Sequence, residues 1–478
     1  MLPSLVIVLV LTTFTCGENP AIQVMLTNKG LQYGKHLGTG WIQDKLRNIT
    51  LPDISGGIHI SIFGTIHYTF TGVTIVQCDL PEPSVQFYTN VTGFKTSVSG
   101  LSIALTGEWR THYGIIHDGG SFNLAIFNVD VTSAVELGKD ADGRLNVTSA
   151  SCTAEVGDVK IDFHGGASRI FQPFVKYFKG RIRGQIEDKI CPTVEQYIGE
   201  FEHHLQATNV SFQVNQALAV DVPLTNLPFM AASSLSLGLK GEFYSTKSHA
   251  DPPFKAQPFT LPEQPGYMLS LGLSEFTANS ASYGYFSAGL LQALINDSMI
   301  PPSSPVHLNT TSMGPFIPQL PKLFPDLLMK LQVYAREAPV FSFQPGAVKL
   351  GFLGAVKAFA VQPNTTLTPL FKLNSDSAFS GKMWVDGGRL KGSVAMDNFT
   401  LTLAASEVGT FQTAALETLV KTGIKMGVLS KLNEKLAEGF VLPRMHYAQL
   451  VNSVLKVEEG FVAVWSDAVV WPTESGFN

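Results

Sequence analysis

The 478-residue chain is short of charge. Asp, Glu, Lys and Arg make up 15% of it, against an average of about 25%. What charge there is does not favour the basic sign. The formal net is −5; residues 18–230 hold 15 Lys+Arg against 20 Asp+Glu, and residues 231–478 hold 18 of each. Neither half offers the basic face that a phosphate backbone requires, so nucleic acid is not expected as a partner. No stretch has the roughly 20 apolar residues that a membrane-spanning helix needs. Catalytic signatures are missing as well: there is no His-Glu-x-x-His, Gly-x-Ser-x-Gly, Gly-x-x-x-x-Gly-Lys-Ser/Thr or Gly-x-Gly-x-x-Gly. His203-His204 make a poor metal pair, because adjacent helical residues point in different directions. No metal, no cofactor and no enzymatic activity are expected.

Cysteine is scarce too. Of four, Cys16 falls in an apolar leader, residues 1–17, whose Leu5–Leu11 core and small polar end read as a secretory signal. That leaves Cys78, Cys152 and Cys191, an odd number that implies one bridge and one spare thiol. Eight Asn-x-Ser/Thr sequons, at Asn48, Asn90, Asn146, Asn209, Asn296, Asn309, Asn364 and Asn398, agree with a secreted, extracellular glycoprotein.

Hydrophobic residues are plentiful at 45%, enough for large cores or apolar cavities. Their spacing suggests two similar bodies. In the first half, Pro20–Asn48 reads as a helix with Ile22, Leu26, Leu31, Ile42 and Leu46 as candidate buried positions. Period-two runs follow: Ile58/Ile60/Ile62, Ile66/Tyr68/Phe70, Phe122/Leu124/Ile126 and Val159/Ile161/Phe163. They predict a large antiparallel sheet with one buried face. A long helix comes next. Its ridge of Ile170, Phe174, Phe178, Ile182, Ile186 and Ile190 recurs every fourth residue, so the stripe drifts about 40° per step, as on a helix lying across a twisted sheet. Lys176, Lys179, Arg181, Arg183 and Lys189 interleave with it. They read as the solvated outer face of a core helix rather than a membrane-binding one. Cys191 ends this ridge and Cys152 precedes the last of the strands, so a bridge between them would pin helix to sheet. It would close a loop of some 40 residues, a contribution of roughly 3–4 kcal/mol.

The midpoint, Gly241–Pro265, holds Pro252, Pro253, Pro258, Pro262 and Pro265. It reads as a semi-rigid linker. The second half repeats the plan. A short helix is expected over Gly284–Ile300, strands over Val348–Val361 and Gly381–Leu403, and a long helix over Thr413–Glu438. The ridge of that helix is Leu416, Val420, Ile424, Val428, Leu432 and Leu436. The expected division is a signal at 1–17, domains at 18–240 and 266–478, and the linker 241–265.

Particular words in the chain add to this. Asn19-Pro20, Lys29-Gly30-Leu31, Leu51-Pro52-Asp53, Gly241-Glu-Phe-Tyr-Ser245, Leu271-Gly-Leu-Ser274 and Met299-Ile-Pro301 occur in order. Phe359-Ala-Val361, Asn433-Glu-Lys-Leu436, Gly439-Phe440 and Leu442-Pro443 follow. Together they resemble the bactericidal/permeability-increasing and lipopolysaccharide-binding protein family along nearly the whole mature chain. The resemblance implies an α+β boomerang of two barrel-like domains, each a twisted antiparallel sheet on a long helix, joined by a central sheet. It also implies a Cys152–Cys191 bridge, phospholipid acyl chains in an apolar pocket of each domain, and a monomeric, antimicrobial protein of innate immunity. Recognition of lipid A, in lipopolysaccharide on the outer-membrane surface of Gram-negative bacteria, is implied at a basic tip of the first domain. Here the sequence departs from the family. The bactericidal members are strongly basic where this chain has Asp44-Lys45-Leu46-Arg47-Asn48-Ile49-Thr50; in the second loop Trp109 and Arg110 keep the pattern, whereas Glu108, Tyr113, Gly114 and His117 replace expected basic residues. His112 and His117 add positive charge only in acid. Lys45, Arg47, Trp109, Arg110, His112 and His117 are the expected contacts. A phospholipid or neutral-lipid carrier with little lipopolysaccharide specificity is the rival reading, and an esterase acting on bound lipid a remoter one.

Overall fold

A computed structural model describes residues 18–470, apart from 48–49, 52, 61–63, 167, 173–174, 303, 305, 443 and 446–447. The leader, Asn48, Ile62 and Phe174 therefore lie outside the described residues.

The chain forms two compact units. The first is Leu26–Thr208 with Leu227–Ser236; the second is the chain up to Met25, Asn209–Asn226 and Leu237–Asn478. Strand β1 (Ile22–Thr27) crosses the first boundary and leads into α1 (Asn28–Arg47). Ile22 and Leu26 are thus strand residues rather than helical ones. The run Ala-Ile-Gln-Val-Met-Leu-Thr holds β-branched residues that suit a sheet once it has partners.

Seven strands build the sheet of the first unit: β2 (Thr50–Leu51), β3 (Ile54–Ile60), β4 (Gly64–Asp79), β5 (Ser84–Tyr88), β6 (Gly93–Tyr113), β7 (Ile116–Lys139) and β8 (Leu145–His164). The order is β2-β4-β6-β7-β8, with β3 added to β4 and β5 to β6. All pairings are antiparallel. As the alternation requires, Ile66, Tyr68, Phe70, Phe122, Leu124, Ile126, Val159, Ile161 and Phe163 are all buried. The long helix α2 (Val175–Gln206) follows β8 and lies on it. Ile182 is buried among the sheet residues, and Ile186 and Ile190 pack beside it. Cys152 and Cys191 are bridged. The interleaved cations serve the same contact: Lys179 pairs with Asp158 on β8, and Arg181 donates to the Gly57 carbonyl at 2.7 Å.

The next strands are β9 (Ser211–Gln213), β10 (Leu218–Asp221), β11 (Phe229–Met230), β12 (Ser234–Leu239), β13 (Glu242–Ser245) and β14 (Leu269–Ser274). β13, β10 and β9 make a small sheet. The proline-rich stretch between β13 and β14 is not a free spacer. Both its ends belong to the second unit, Ala256 and Leu261 are buried, and Phe259 stacks on Phe461 at 4.7 Å. Prolines remove backbone donors, and side chains bond to carbonyls along the stretch. Gln23 donates to Phe259 O, Asn19 to Ala256 O and Trp465 Nε1 to Pro262 O.

Helix α3 covers Glu275–Ser287, and residues expected to continue a helix toward Ile300 instead form β15 (Gln292–Asn296). Gly289, at φ +70°, ends the helical stretch. The remaining strands are β16 (Met329–Ala335), β17 (Val340–Gln344), β18 (Ala347–Val361), β19 (Leu367–Asp386) and β20 (Arg389–Ser406). After a long helix come β21 (Phe440–Val441), β22 (Arg444–Met445), β23 (Ala448–Glu458) and β24 (Phe461–Val470). The second meander runs β15-β16-β18-β19-β20-β21, with β17 on β18. A further sheet runs β11-β12-β1-β14-β24-β23-β22.

Helix α4 is Ala414–Gly423, a π-helical turn Ile424–Leu429, and Ser430–Glu438. The wider turn advances the chain by one residue. Leu416, before the turn, is buried as the ridge expects; after it Leu429 is buried instead, while Val428 and Leu432, expected on the ridge, are 59% and 41% exposed. Asn433 takes the inner position and makes two bonds to β20, accepting from Val394 N and donating to Val394 O. Both units are thus an antiparallel meander followed by a long helix on its last strand, an α+β fold.

Candidate functional site

The β6–β7 hairpin carries most of the expected contacts at its free end. The register pairs Arg110 with Gly119, His112 with His117 and Tyr113 with Ile116. Gly114, at φ +56°, makes the turn, a conformation that costs other residues more. Ile115 beside it is 96% exposed and Tyr113 is 43% exposed.

Strand alternation divides the contacts into two sets. Trp109 faces inward and is 1% exposed. Its ring meets Phe163 edge-on at 5.6 Å, and its Nε1 donates to His164 O at 3.2 Å. It is a core residue, so its expected role as a surface contact is withdrawn: its neighbours Glu108 and Arg110 point out, and period two sends it in. Gly120 lies against it. A Cβ there would fall 2.9 Å from the Trp109 Nε1 and 2.0 Å from His164 O. A hollow of about 320 Å³ opens at this level, lined by Glu108, Trp109, Arg110, Gly119, Gly120 and Ser121.

On the outer face, Arg110 and Glu108 stand 3.7 Å apart, both largely exposed. This carboxylate offsets the one cation of the expected set whose side chain is described. One step nearer the tip lies a residue the sequence had not singled out. The register brings His67 of β4 opposite His112, and their rings stack at 4.9 Å. His112 and His117 follow at 5.8 Å. Three exposed imidazoles on three adjacent strands form a ladder whose only signal in sequence is the outward phase of Ile66/Tyr68/Phe70. Lys45 and Arg47 belong to α1, and their side chains lie outside the described set. Among the described residues no group of three or more His, Cys, Asp or Glu is placed to hold a metal.

Beneath the face, burial pushes the Tyr68 phenol up, against the opposing pull of Arg181. The Lys179 hydrogen bond holds the Asp158 carboxyl below its ordinary value. Of the sequons, Asn90, Asn209, Asn364 and Asn398 are exposed, while Asn146, Asn296 and Asn309 are half-buried. Asn146 already donates to Glu202 at 2.7 Å.

Two meander-and-helix units in one chain, with exposed apolar and imidazole groups at one hairpin end, define a class of two-unit sheet-and-helix proteins. The comparisons place it further. Residues 30–207 match the N-terminal domain, and residues 212–470 the C-terminal domain, of the LBP / BPI / CETP family. The chain belongs to that family, whose BPI and LBP members are non-enzymatic lipid-binding proteins. It is 39% identical to a bactericidal permeability-increasing protein of Sebastes schlegelii, over 96% of this chain and 97% of that one. It is 30% identical to a lipopolysaccharide-binding protein of Bos taurus, over 96% of each. A crystal structure of lipopolysaccharide binding protein shares its fold, with a TM-score of 0.58 at 24% identity, covering 95% of this chain and 99% of that one.

Proposed function

We propose that this is a secreted, glycosylated lipid-binding protein of innate defence. In this reading it binds lipopolysaccharide of Gram-negative bacteria at the free end of β6–β7 and carries phospholipid acyl chains in apolar space between sheet and helix. The observation that carries the reading is the hairpin end itself, where an exposed Ile115 adjoins Arg110, His112 and His117 on one surface. An apolar tip suits acyl chains, and the cation and imidazoles suit phosphates. The names of the relatives support it. Phospholipid would be the resident ligand and the protein a monomer.

The test uses the full chain, with lipopolysaccharide and phosphatidylcholine vesicles at low and high salt. Selective binding that weakens with salt, and weakens further in Arg110→Ala, is expected. Equal, salt-insensitive uptake of both lipids would leave the second reading, a phospholipid or neutral-lipid carrier. The offset of Arg110 by Glu108 favours that one.

A further inference from the structure

A ladder of three histidines, His67, His112 and His117, lies on the outer face of the first sheet. Its rings are spaced at 4.9 and 5.8 Å across β4, β6 and β7. Histidine is the side chain whose charge ordinarily changes between pH 5 and 8. When neighbouring rings gain protons at this spacing, they repel one another. An anion lying across the ladder removes that repulsion and supplies each ring N–H with an acceptor. Proton uptake and anion binding are then linked, each promoting the other.

Among the charged and titratable neighbours, Arg181 of α2 is held on the Gly57 carbonyl of β3, which the register sets opposite His67. Arg110 and Glu108 on β6 offset each other. His59 on β3 is engaged with Thr65 of β4 at 3.3 Å. On β8, His164 is engaged with Asn123 of β7 at 3.2 Å. Asp118 on β7 accepts from Gly119 N. The ladder lies within a few residues of the exposed Ile115 tip, which places it at head-group depth when that tip enters a lipid layer.

We propose that His67, His112 and His117 form an acid-gated site for the phosphate groups of a lipid surface, making the hairpin end a proton-dependent membrane contact. The inference rests on the hairpin end as the lipid-facing surface.

The experiment measures binding of the full chain to phosphatidylcholine vesicles that are plain, carry lipopolysaccharide, or carry phosphatidic acid, at about pH 5.5 and about pH 7.5. Binding to both phosphate-rich surfaces should be about tenfold or more tighter in acid, because each added ring proton supplies a charged donor to the anion. The triple variant His67→Gln/His112→Gln/His117→Gln should lose this gain while melting at the same temperature, since all three rings are exposed. His112→Lys should carry part of the acid-strength binding to neutral pH. Binding to lipopolysaccharide that is equal at both pH values and untouched in the triple variant would overturn the ladder and leave the lipopolysaccharide reading standing. Acid-dependent binding to phosphatidic acid alone would uphold the ladder and remove lipopolysaccharide as the target. Failure on every surface would remove both. Release by inorganic phosphate, at the same phosphorus concentration as the vesicles, would overturn the lipid-surface assignment in favour of a free-phosphate site.

Discussion

Trp109 and Arg110 adjoin in the chain and face opposite sides of the sheet, so their substitutions should separate folding from binding. Trp109→Ala removes a ring packed on Phe163 and should cost about 3–5 kcal/mol, read from the urea midpoint. Arg110→Ala should leave that midpoint within about 0.5 kcal/mol and change only the salt dependence of lipid binding. Gly120→Ala should destabilise the hairpin, because its Cβ would press on the His164 carbonyl. A melt of that variant equal to the parent's would contradict the close approach. The inward phase of Trp109 was legible, since Glu108 and Arg110 bracket it, yet resemblance to a basic loop drew it outward. His67 was not legible as a neighbour of His112. Their pairing is a matter of register between strands some 45 residues apart, and nothing local fixes register.

At the scale of elements, both long helices were legible because a four-residue ridge needs no partner to be seen. The phase of α4 beyond Ile424 was not, because a π-helical turn inserts a residue without changing the apolar pattern. Leu429→Ala should therefore cost about 2–5 kcal/mol and Val428→Ala about 0.5 kcal/mol or less, as chemical denaturation would show. The opposite order would restore the unbroken ridge. In the first unit, replacing Cys152 and Cys191 by Ala opens a loop spanning 39 positions and should lower stability by about 4 kcal/mol in the chain-entropy model. The Asp158–Lys179 pair adds a pH dependence. Its carboxyl is held below the ordinary value, so its stabilisation is present above about pH 4 and is lost as pH falls through the lowered value. Asp158→Asn should speed amide exchange in α2 at neutral pH and make no difference once the parent carboxyl is protonated.

For the whole molecule, the duplicated meander-and-helix plan was legible from periodicity, and the route of the chain between units was not. The prolines at the midpoint suggested a linker; instead the chain passes between units at Met25, Thr208, Asn226 and Ser236, and the proline-rich stretch packs within the second. The first strand was misread as helix for a related reason. Its sheet neighbours β12 and β14 lie more than 200 residues away, beyond any local pattern. A chain begun at Asn28 should consequently expose the facing edges of β12 and β14 and elute as aggregate in size-exclusion chromatography. That placement also sets a clock. Synthesis proceeds at about 5–20 residues per second, so β1 leaves the ribosome roughly 10–50 s before its sheet neighbours exist. Throughout that interval the backbone groups of this segment are met by solvent or by other parts of the nascent chain, so the sheet that holds β1 can close only late in synthesis.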